Sequence, residues 1–86
     1  MRVILHNPDN IEELPLKCAL RVADDTCIQQ LLVFVRAKTR LNKYQSIYLL
    51  HNGVLLSPQR TVREVVPPGT SPYILQAVIK CEDAFG

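Results

Sequence analysis

The side chains that most often carry catalysis are scattered in this sequence of 86 residues. Carboxylates fall in adjacent pairs, at 12–13, 24–25 and 82–83. Adjacent residues on a strand or loop point apart, so none of these pairs suits general acid–base catalysis. The three glycines are widely separated, which excludes a glycine-rich phosphate loop. The sequence therefore predicts a protein that is not an enzyme.

Cysteine and histidine residues form no pattern typical of a metal or redox site. Cys18, Cys27 and Cys81 are widely spaced, with no C-x-x-C pair. Thiol catalysis needs a histidine close by, and the sequence brings neither His6 nor His51 next to a cysteine. Unpaired cysteines favour a reducing compartment. We expect Cys18 and Cys27 to be buried and structural, Cys81 near the tail to be more exposed, and no cofactor or metal.

The last residue, Gly86, is the strongest candidate for chemistry. Glycine has no Cβ, so its carboxylate can pass a narrow channel and an enzyme can approach its carbonyl closely. This carboxylate acylates poorly until ATP-dependent adenylation, after which it can form a thioester and then an amide. Phe85 could anchor the tail in an apolar pocket. An arbitrary truncation would account for a final glycine equally well.

Composition indicates one small globular domain. Hydrophobic residues make up 48% and charged residues 21%, and a chain of this length buries one modest core. The net charge of +2 is too small to indicate nucleic acid binding. The basic residues at 36, 38, 40 and 43 are typical of a solvated helix end, with partner docking as the alternative. No signal peptide or apolar run long enough to span a membrane is present, which predicts a soluble, cytoplasmic protein.

The first half of the chain predicts two strands and a helix. Residues 2–6 form a short apolar run, and the turn-forming residues 7–10 follow. Residues 16–22 alternate apolar and polar side chains, which indicates a half-buried strand that completes a hairpin. Residues 26–29 fit an N-terminal capping box that begins at Thr26. An apolar stripe predicts the helix that follows; it consists of Ile28, Leu31, Leu32 and Val35.

The second half predicts three strands and a short helix. Residues 46–51 and 54–56 flank Asn52-Gly53, a strong hairpin signal. Residues 61–64 fit a second capping box, and prolines end that helix. The apolar run 73–79 predicts a strand buried on both faces and therefore central. Together these elements predict an α+β fold of the β-grasp type: a mixed sheet of four to five strands packed on one main helix, with a second short helix.

Five segments carry a resemblance to a known family. They are Val3-Ile4-Leu5, Leu14-Pro15, Arg36-Ala37-Lys38-Thr39-Arg40-Leu41, Ser46-Ile47-Tyr48-Leu49-Leu50-His51-Asn52-Gly53 and Glu82-Asp83-Ala84-Phe85-Gly86. In order and spacing the whole chain resembles the ubiquitin-like modifiers of autophagy. The resemblance implies a single ubiquitin-like domain over residues 1–86, with 81–86 as a conjugation tail. Gly86 would be the acyl donor and Phe85 its anchor, although the Gly-Gly end of other ubiquitin relatives is absent.

The resemblance extends to two branches of the family. Autophagy-related protein eight is joined to phosphatidylethanolamine and carries two helices before its first strand. Autophagy-related protein twelve is joined to a lysine of autophagy-related protein five. The strand at the start of this chain and Ser57-Pro58 favour the second branch, whereas Phe85 is commoner in the first.

For the favoured branch, the resemblance implies several partners and a location. The partners are the activating and conjugating enzymes of autophagy and autophagy-related protein five. The activating enzyme would use ATP, which this chain would not bind. The protein would be cytoplasmic and recruited to autophagosomal membranes through its conjugate.

The resemblance also implies a groove between the second strand and the helix, which takes short apolar-aromatic peptides by strand addition. This groove maps to Lys17, Ala19, Leu20, Arg21, Val33, Phe34 and Arg36. An ordinary edge strand and helix surface is the alternative, in which Lys17 and Arg21 deter aggregation. A β-grasp interaction module that forms no covalent bond is the second hypothesis for function. A sulfur carrier would need a Gly-Gly end.

Overall fold

Five strands and two helices make up the described part of the chain in this computed structural model, which covers residues 1–11, 14–39, 45–66, 69 and 74–83. The elements are β1 (Arg2–His6), β2 (Lys17–Arg21), α1 (Ile28–Lys38), β3 (Gln45–His51), β4 (Val54–Leu55), α2 (Val62–Val65) and β5 (Ile74–Asp83). This order of elements confirms the predicted α+β fold.

The strands form one mixed sheet in the order β2-β1-β5-β3-β4. β1 is antiparallel to β2 and parallel to β5, whereas β3 is antiparallel to both β4 and β5. The last strand therefore lies at the centre of the sheet, as its apolar sequence predicted. β2 and β4 are the two edges, so β1 and β5 separate β2 from β3.

The core lies between one face of the sheet and α1. Its most buried side chains are Val3, Leu5, Ile28, Leu31, Val35, Leu49, Val62, Leu75, Ala77 and Ile79. On the other face of β5, Gln76 is exposed and Val78 is half-buried. The prediction that β5 is buried on both faces was therefore wrong, because α1 covers only one of them.

β5 continues further than the apolar run 73–79 predicted. Cys81, Glu82 and Asp83 pair with Ile47, Ser46 and Gln45 of β3, respectively. These three residues of the predicted tail therefore belong to the central strand, because β3 supplies their ladder partners. The rest of the tail, 84–86, lies outside the described residues.

Helix α1 begins one residue later than predicted. Cys27, not Thr26, is the N-cap residue, and its backbone N–H donates to Oε1 of Gln30 at 2.8 Å. The shift has a tertiary cause. The Thr26 carbonyl accepts from the N–H of Val62, and the N–H of Ile28 donates to the Arg60 carbonyl, both at 2.8 Å. This pairing holds Cys27 in an extended conformation.

The apolar stripe of α1 agrees with the prediction, since Ile28, Leu31 and Val35 are buried and Leu32 is half-buried. In β2, Cys18 and Leu20 are half-buried on one face, as their alternation predicted. Leu16, predicted on that same face, is 65% exposed because β2 begins only at Lys17.

The β3–β4 turn and the α2 cap both follow their sequence signals. Asn52 and Gly53 have φ values of 52° and 79°, so both adopt the left-handed conformation that a tight hairpin turn requires. At α2, the N–H of Glu64 donates to Oγ1 of Thr61 at 3.3 Å, and the N–H of Thr61 donates to Oε1 of Glu64 at 3.0 Å. This reciprocal pair is the predicted second capping box.

The Glu64 carboxylate should make this cap sensitive to acid. Its hydrogen bonds from the Thr61 backbone and hydroxyl, and then the nearby Arg60 charge, hold the pKa of Glu64 below its usual value. A lowered folded-state pKa contributes stability above the ordinary glutamate range, and this contribution is lost as pH falls through the folded pKa. Glu64→Gln should therefore lower the melting temperature at about pH 7, and this difference should shrink as the pH falls below the ordinary glutamate range. A difference that persists in acid would contradict this role of the charge.

Candidate functional site

The strand that leads to the predicted conjugation residues is held at the centre of the molecule. β5 pairs with β1 over residues 74–78 and with β3 over residues 78–83. Leu75, Ala77 and Ile79 also anchor it in the core. Phe85 and Gly86 lie outside the described residues.

The outer edge of β2 offers backbone groups for strand addition. The N–H of Val22 donates to the Met1 carbonyl at 2.9 Å, and the N–H of Asn7 donates to the Leu16 carbonyl at 2.8 Å. Backbone groups alternate in direction along a strand, so Cys18 and Leu20 also bond towards β1. The backbone groups of Lys17, Ala19 and Arg21 therefore point to the open side. No other strand of the described part pairs with this side.

Asn7 positions the loop that leads into β2. Its side chain is fully buried and makes three hydrogen bonds. Nδ2 donates to the carbonyls of Ile11 and Leu14 at 3.1 and 3.3 Å, and Oδ1 accepts from the N–H of Ile11 at 2.9 Å. The sequence indicated a turn at 7–10. It did not show that one buried side-chain amide would supply hydrogen bonds to the backbone of this loop.

Phe34 lies on one flank of α1. A surface hollow on the opposite flank is lined by Leu32 and Arg36 together with Ile47 of β3. On a helix with 3.6 residues per turn, Phe34 projects away from that flank. Its ring is half-buried, with Nζ of Lys38 at 5.7 Å from the ring centroid in a cation–π contact.

The seven residues predicted to bind partners do not form one groove. Ala19, Leu20 and Arg21 line a hollow of about 250 Å³ together with Arg2. Lys17 is exposed on the same strand. Val33 and Arg36 instead line the hollow of about 300 Å³ beside β3. Two strands separate β2 from β3. The predicted set therefore divides into the β2 edge and a second surface at β3, and Phe34 lies on neither hollow.

The histidines and cysteines form no catalytic arrangement among the described residues. Nε2 of His6 lies 3.2 Å from Oε1 of Gln76, and Nδ1 of His51 lies 2.8 Å from the backbone carbonyl of Gln76. The part of the chain that the structure describes holds no group of three or more potential metal-ligating side chains. Across the same residues, we find no helix with the length and hydrophobicity that a membrane span requires.

Comparison with known proteins identifies the fold class. No family model and no curated protein matches the chain. The structure of Trypanosoma brucei ATG8 aligns with a TM-score of 0.76 at 17% identity, over 100% of this chain and 76% of that one. Arabidopsis thaliana At3g01050, a ubiquitin-fold protein, aligns with a TM-score of 0.69 at 13% identity, over 95% of this chain and 85% of that one.

A third solved structure, which concerns molecular mimicry of SUMO in DNA repair, gives a TM-score of 0.65 at 14% identity over 93% of this chain and 89% of that one. The chain therefore has the ubiquitin-like β-grasp fold.

Proposed function

We propose that this protein is a ubiquitin-like modifier of autophagy, activated at Gly86 and conjugated to a lysine of autophagy-related protein five. The observation that supports this most is the structural similarity to ATG8, which extends over the whole chain. The sequence adds Phe85 and Gly86, two and three positions beyond the central strand β5. A donor tail next to a rigid central strand can be handled by enzymes without unfolding the domain.

In the proposed reaction, this chain supplies the acyl group and no catalytic side chain. The Gly86 carboxylate attacks the α-phosphorus of ATP, which gives an acyl-adenylate and releases pyrophosphate. A cysteine thiolate of the activating enzyme then displaces AMP and forms a thioester, which is passed to the conjugating enzyme. The lysine amine attacks the thioester carbonyl, an amide forms, and the thiol leaves after the amine loses its proton. Because Gly86 has no Cβ, each nucleophile can approach its carbonyl closely.

The β2 edge is the proposed docking surface for the enzymes of this pathway. An extended segment can pair with the open backbone groups of Lys17, Ala19 and Arg21. Side chains of that segment on the α1 face would meet Leu20 and Phe34, which are half-buried and apolar. Membrane recruitment would come through the conjugate.

Conjugation to phosphatidylethanolamine is the second candidate, which the similarity to ATG8 favours. The chemistry at Gly86 would be unchanged, because the lipid headgroup also offers a primary amine. Its adduct would add the mass of a lipid instead of that of a protein. A non-covalent interaction module, the third candidate, would form no adduct and would use the β2 edge alone.

Deletion of Gly86 should abolish conjugation and leave the fold intact, because Gly86 lies three positions beyond Asp83, the last residue of β5. The test is intact-mass spectrometry after incubation with ATP and an autophagy-competent lysate. We expect an adduct from the full chain and none from the deletion variant. Val54→Ser, a change at an exposed apolar residue of β4, the edge strand opposite β2, should still form the adduct.

Each other outcome of this experiment has a clear meaning. An adduct from the deletion variant would refute the role of Gly86. No adduct from the full chain, in a lysate that conjugates its own modifiers, would favour the non-covalent module. The adduct mass separates the protein target from the lipid target, and omission of ATP should prevent both.

A further inference from the structure

In the described part of the chain, β4 pairs with only part of the outer edge of β3. β3 has seven residues, whereas β4 has two and pairs only with Leu50 and His51. The N–H of Leu56 still donates to the Leu49 carbonyl at 2.9 Å, and the chain then turns towards α1. There the Pro58 carbonyl accepts from the N–H of Gln29 at 2.9 Å. Among the described residues, none pairs with the β4 side of β3 before Leu49.

The part of the β3 edge beyond β4 includes the backbone N–H and carbonyl of Ile47. The Leu49 carbonyl points to the β4 side, since it bonds to Leu56. Alternation along the strand directs the N–H and carbonyl of Ile47 to the same side, whereas Ser46 and Tyr48 bond towards β5. A strand edge that no described strand pairs with is a template for an added strand.

One flank of α1 forms an apolar wall over this edge. Leu32 and Val33 line the hollow of about 300 Å³ together with Ile47, and Pro58 closes one end. Val33 is 57% exposed although it lies in the middle of the helix. Arg36 is the only charged side chain that lines this hollow in the described part of the chain. The β4-side backbone groups of Ile47 therefore lie next to an apolar hollow and the cationic side chain of Arg36.

We propose that this β3 groove, formed by Leu32, Val33, Arg36, Ser46, Ile47 and Pro58, binds an extended segment of a partner protein that carries an apolar residue beside an acidic one. The segment pairs with the backbone of Ile47 and extends the sheet along the outer edge of β3, in line with β4. The residue opposite Ile47 projects to the same face as Ile47 and enters the hollow.

The charge of Arg36 selects the partner. A guanidinium has five N–H donors, so it can bind a carboxylate of the segment in addition to the contact it already makes. A second copy of this chain that paired through the same edge would bring two Arg36 side chains together, and like charges oppose that arrangement. The groove lies across the sheet from the β2 edge, and it does not depend on conjugation at Gly86.

The test uses the acetylated and amidated peptide Glu-Val-Ile-Val-Asp and the full chain labelled with ¹⁵N. Titration to about 1 mM peptide should shift the amide resonances of Val33 and Ile47 more than those of Ala19. Val33→Glu should weaken binding at least tenfold, because it places a carboxylate at the apolar wall. Leu16→Glu is the matched control, since it adds the same charge at another exposed apolar residue and should leave binding unchanged.

The backbone pairing has its own control. A peptide N-methylated at the residue opposite Ile47 cannot donate to the strand edge and should bind at least tenfold more weakly. The proposal is wrong if the shifts are absent or confined to β2, or if the two glutamate variants bind alike. Shifts at Ile47 that depend on protein concentration without peptide would overturn it in favour of a second copy. Unchanged melting temperatures of both variants would show that each one folds.

Discussion

Replacing Asn7 with alanine is expected to lower the free energy of unfolding by about 2 to 4 kcal/mol, the cost of leaving buried backbone groups without partners. The Asn7 side chain accepts from the N–H of Ile11 and donates to the Leu14 carbonyl. It also donates to the Ile11 carbonyl, which accepts a second bond from the N–H of Leu14 at 3.3 Å. Alanine provides neither donor nor acceptor, and the fully buried site leaves little access to water. A loss of this size is a large share of the roughly 5 to 15 kcal/mol typical of a small domain. Urea denaturation of the variant and the natural protein measures it.

An isosteric change separates the hydrogen bonds from the shape of the side chain. Asn7→Asp keeps the acceptor for the N–H of Ile11 but points a carboxylate oxygen at two carbonyls. Burial and these oxygens should raise the folded-state pKa of the introduced carboxyl. The stability of this variant should therefore be greatest in acid and fall as pH rises through that pKa.

A nearby surface change controls for effects of the loop itself. Asp9 forms an exposed ion pair with Lys80 at 3.3 Å, and Asp9→Asn should cost less than about 1 kcal/mol. If Asn7→Ala cost no more than Asp9→Asn, the buried amide would not hold the loop together.

Much of the fold was predictable because its signals are local. Asn52-Gly53 requires only that two adjacent residues tolerate positive φ. The helix stripe requires only a period of 3.6 residues. The cap of α1 shows where local reasoning fails. Thr26 fits a capping box by sequence, but its carbonyl pairs with Val62, which is 36 positions away, so Cys27 takes the cap. No local pattern encodes that pairing.

The candidate site was less predictable because it depends on which strands are neighbours. Phe34 and Arg36 are close in sequence, yet they project to opposite flanks of α1, and Arg36 lies on the flank beside β3. The helical period could have separated them, but only the sheet order assigns each flank to a strand. The sequence did contain one signal that part of β3 lacks a partner in β4. Ser57-Pro58 ends the fourth strand before it can pair along the full length of the third.

Proline substitutions in β2 test which backbone N–H groups of this strand the sheet requires. Ala19→Pro is expected to fold, because the Ala19 N–H points away from β1 and takes part in no ladder hydrogen bond. Leu20→Pro removes an N–H that bonds towards β1 opposite Val3, so it should lower the melting temperature much more than Ala19→Pro does. Thermal unfolding should therefore separate two prolines at adjacent positions of one strand.

Measurements of enzyme binding then test whether the outer edge of β2 pairs with an added strand. Ala19→Pro removes the donor that an added strand needs, so binding of the autophagy conjugating enzyme, measured by isothermal titration calorimetry, should fall at least tenfold. Ala19→Thr keeps the N–H, suits a strand and should bind as the natural protein does. Equal binding by the two variants would rule out strand addition at β2. Because β1 and β5 separate the two edges, Ala19→Pro should leave peptide binding at the β3 groove unchanged, and a loss at both surfaces would instead indicate a general defect in the sheet.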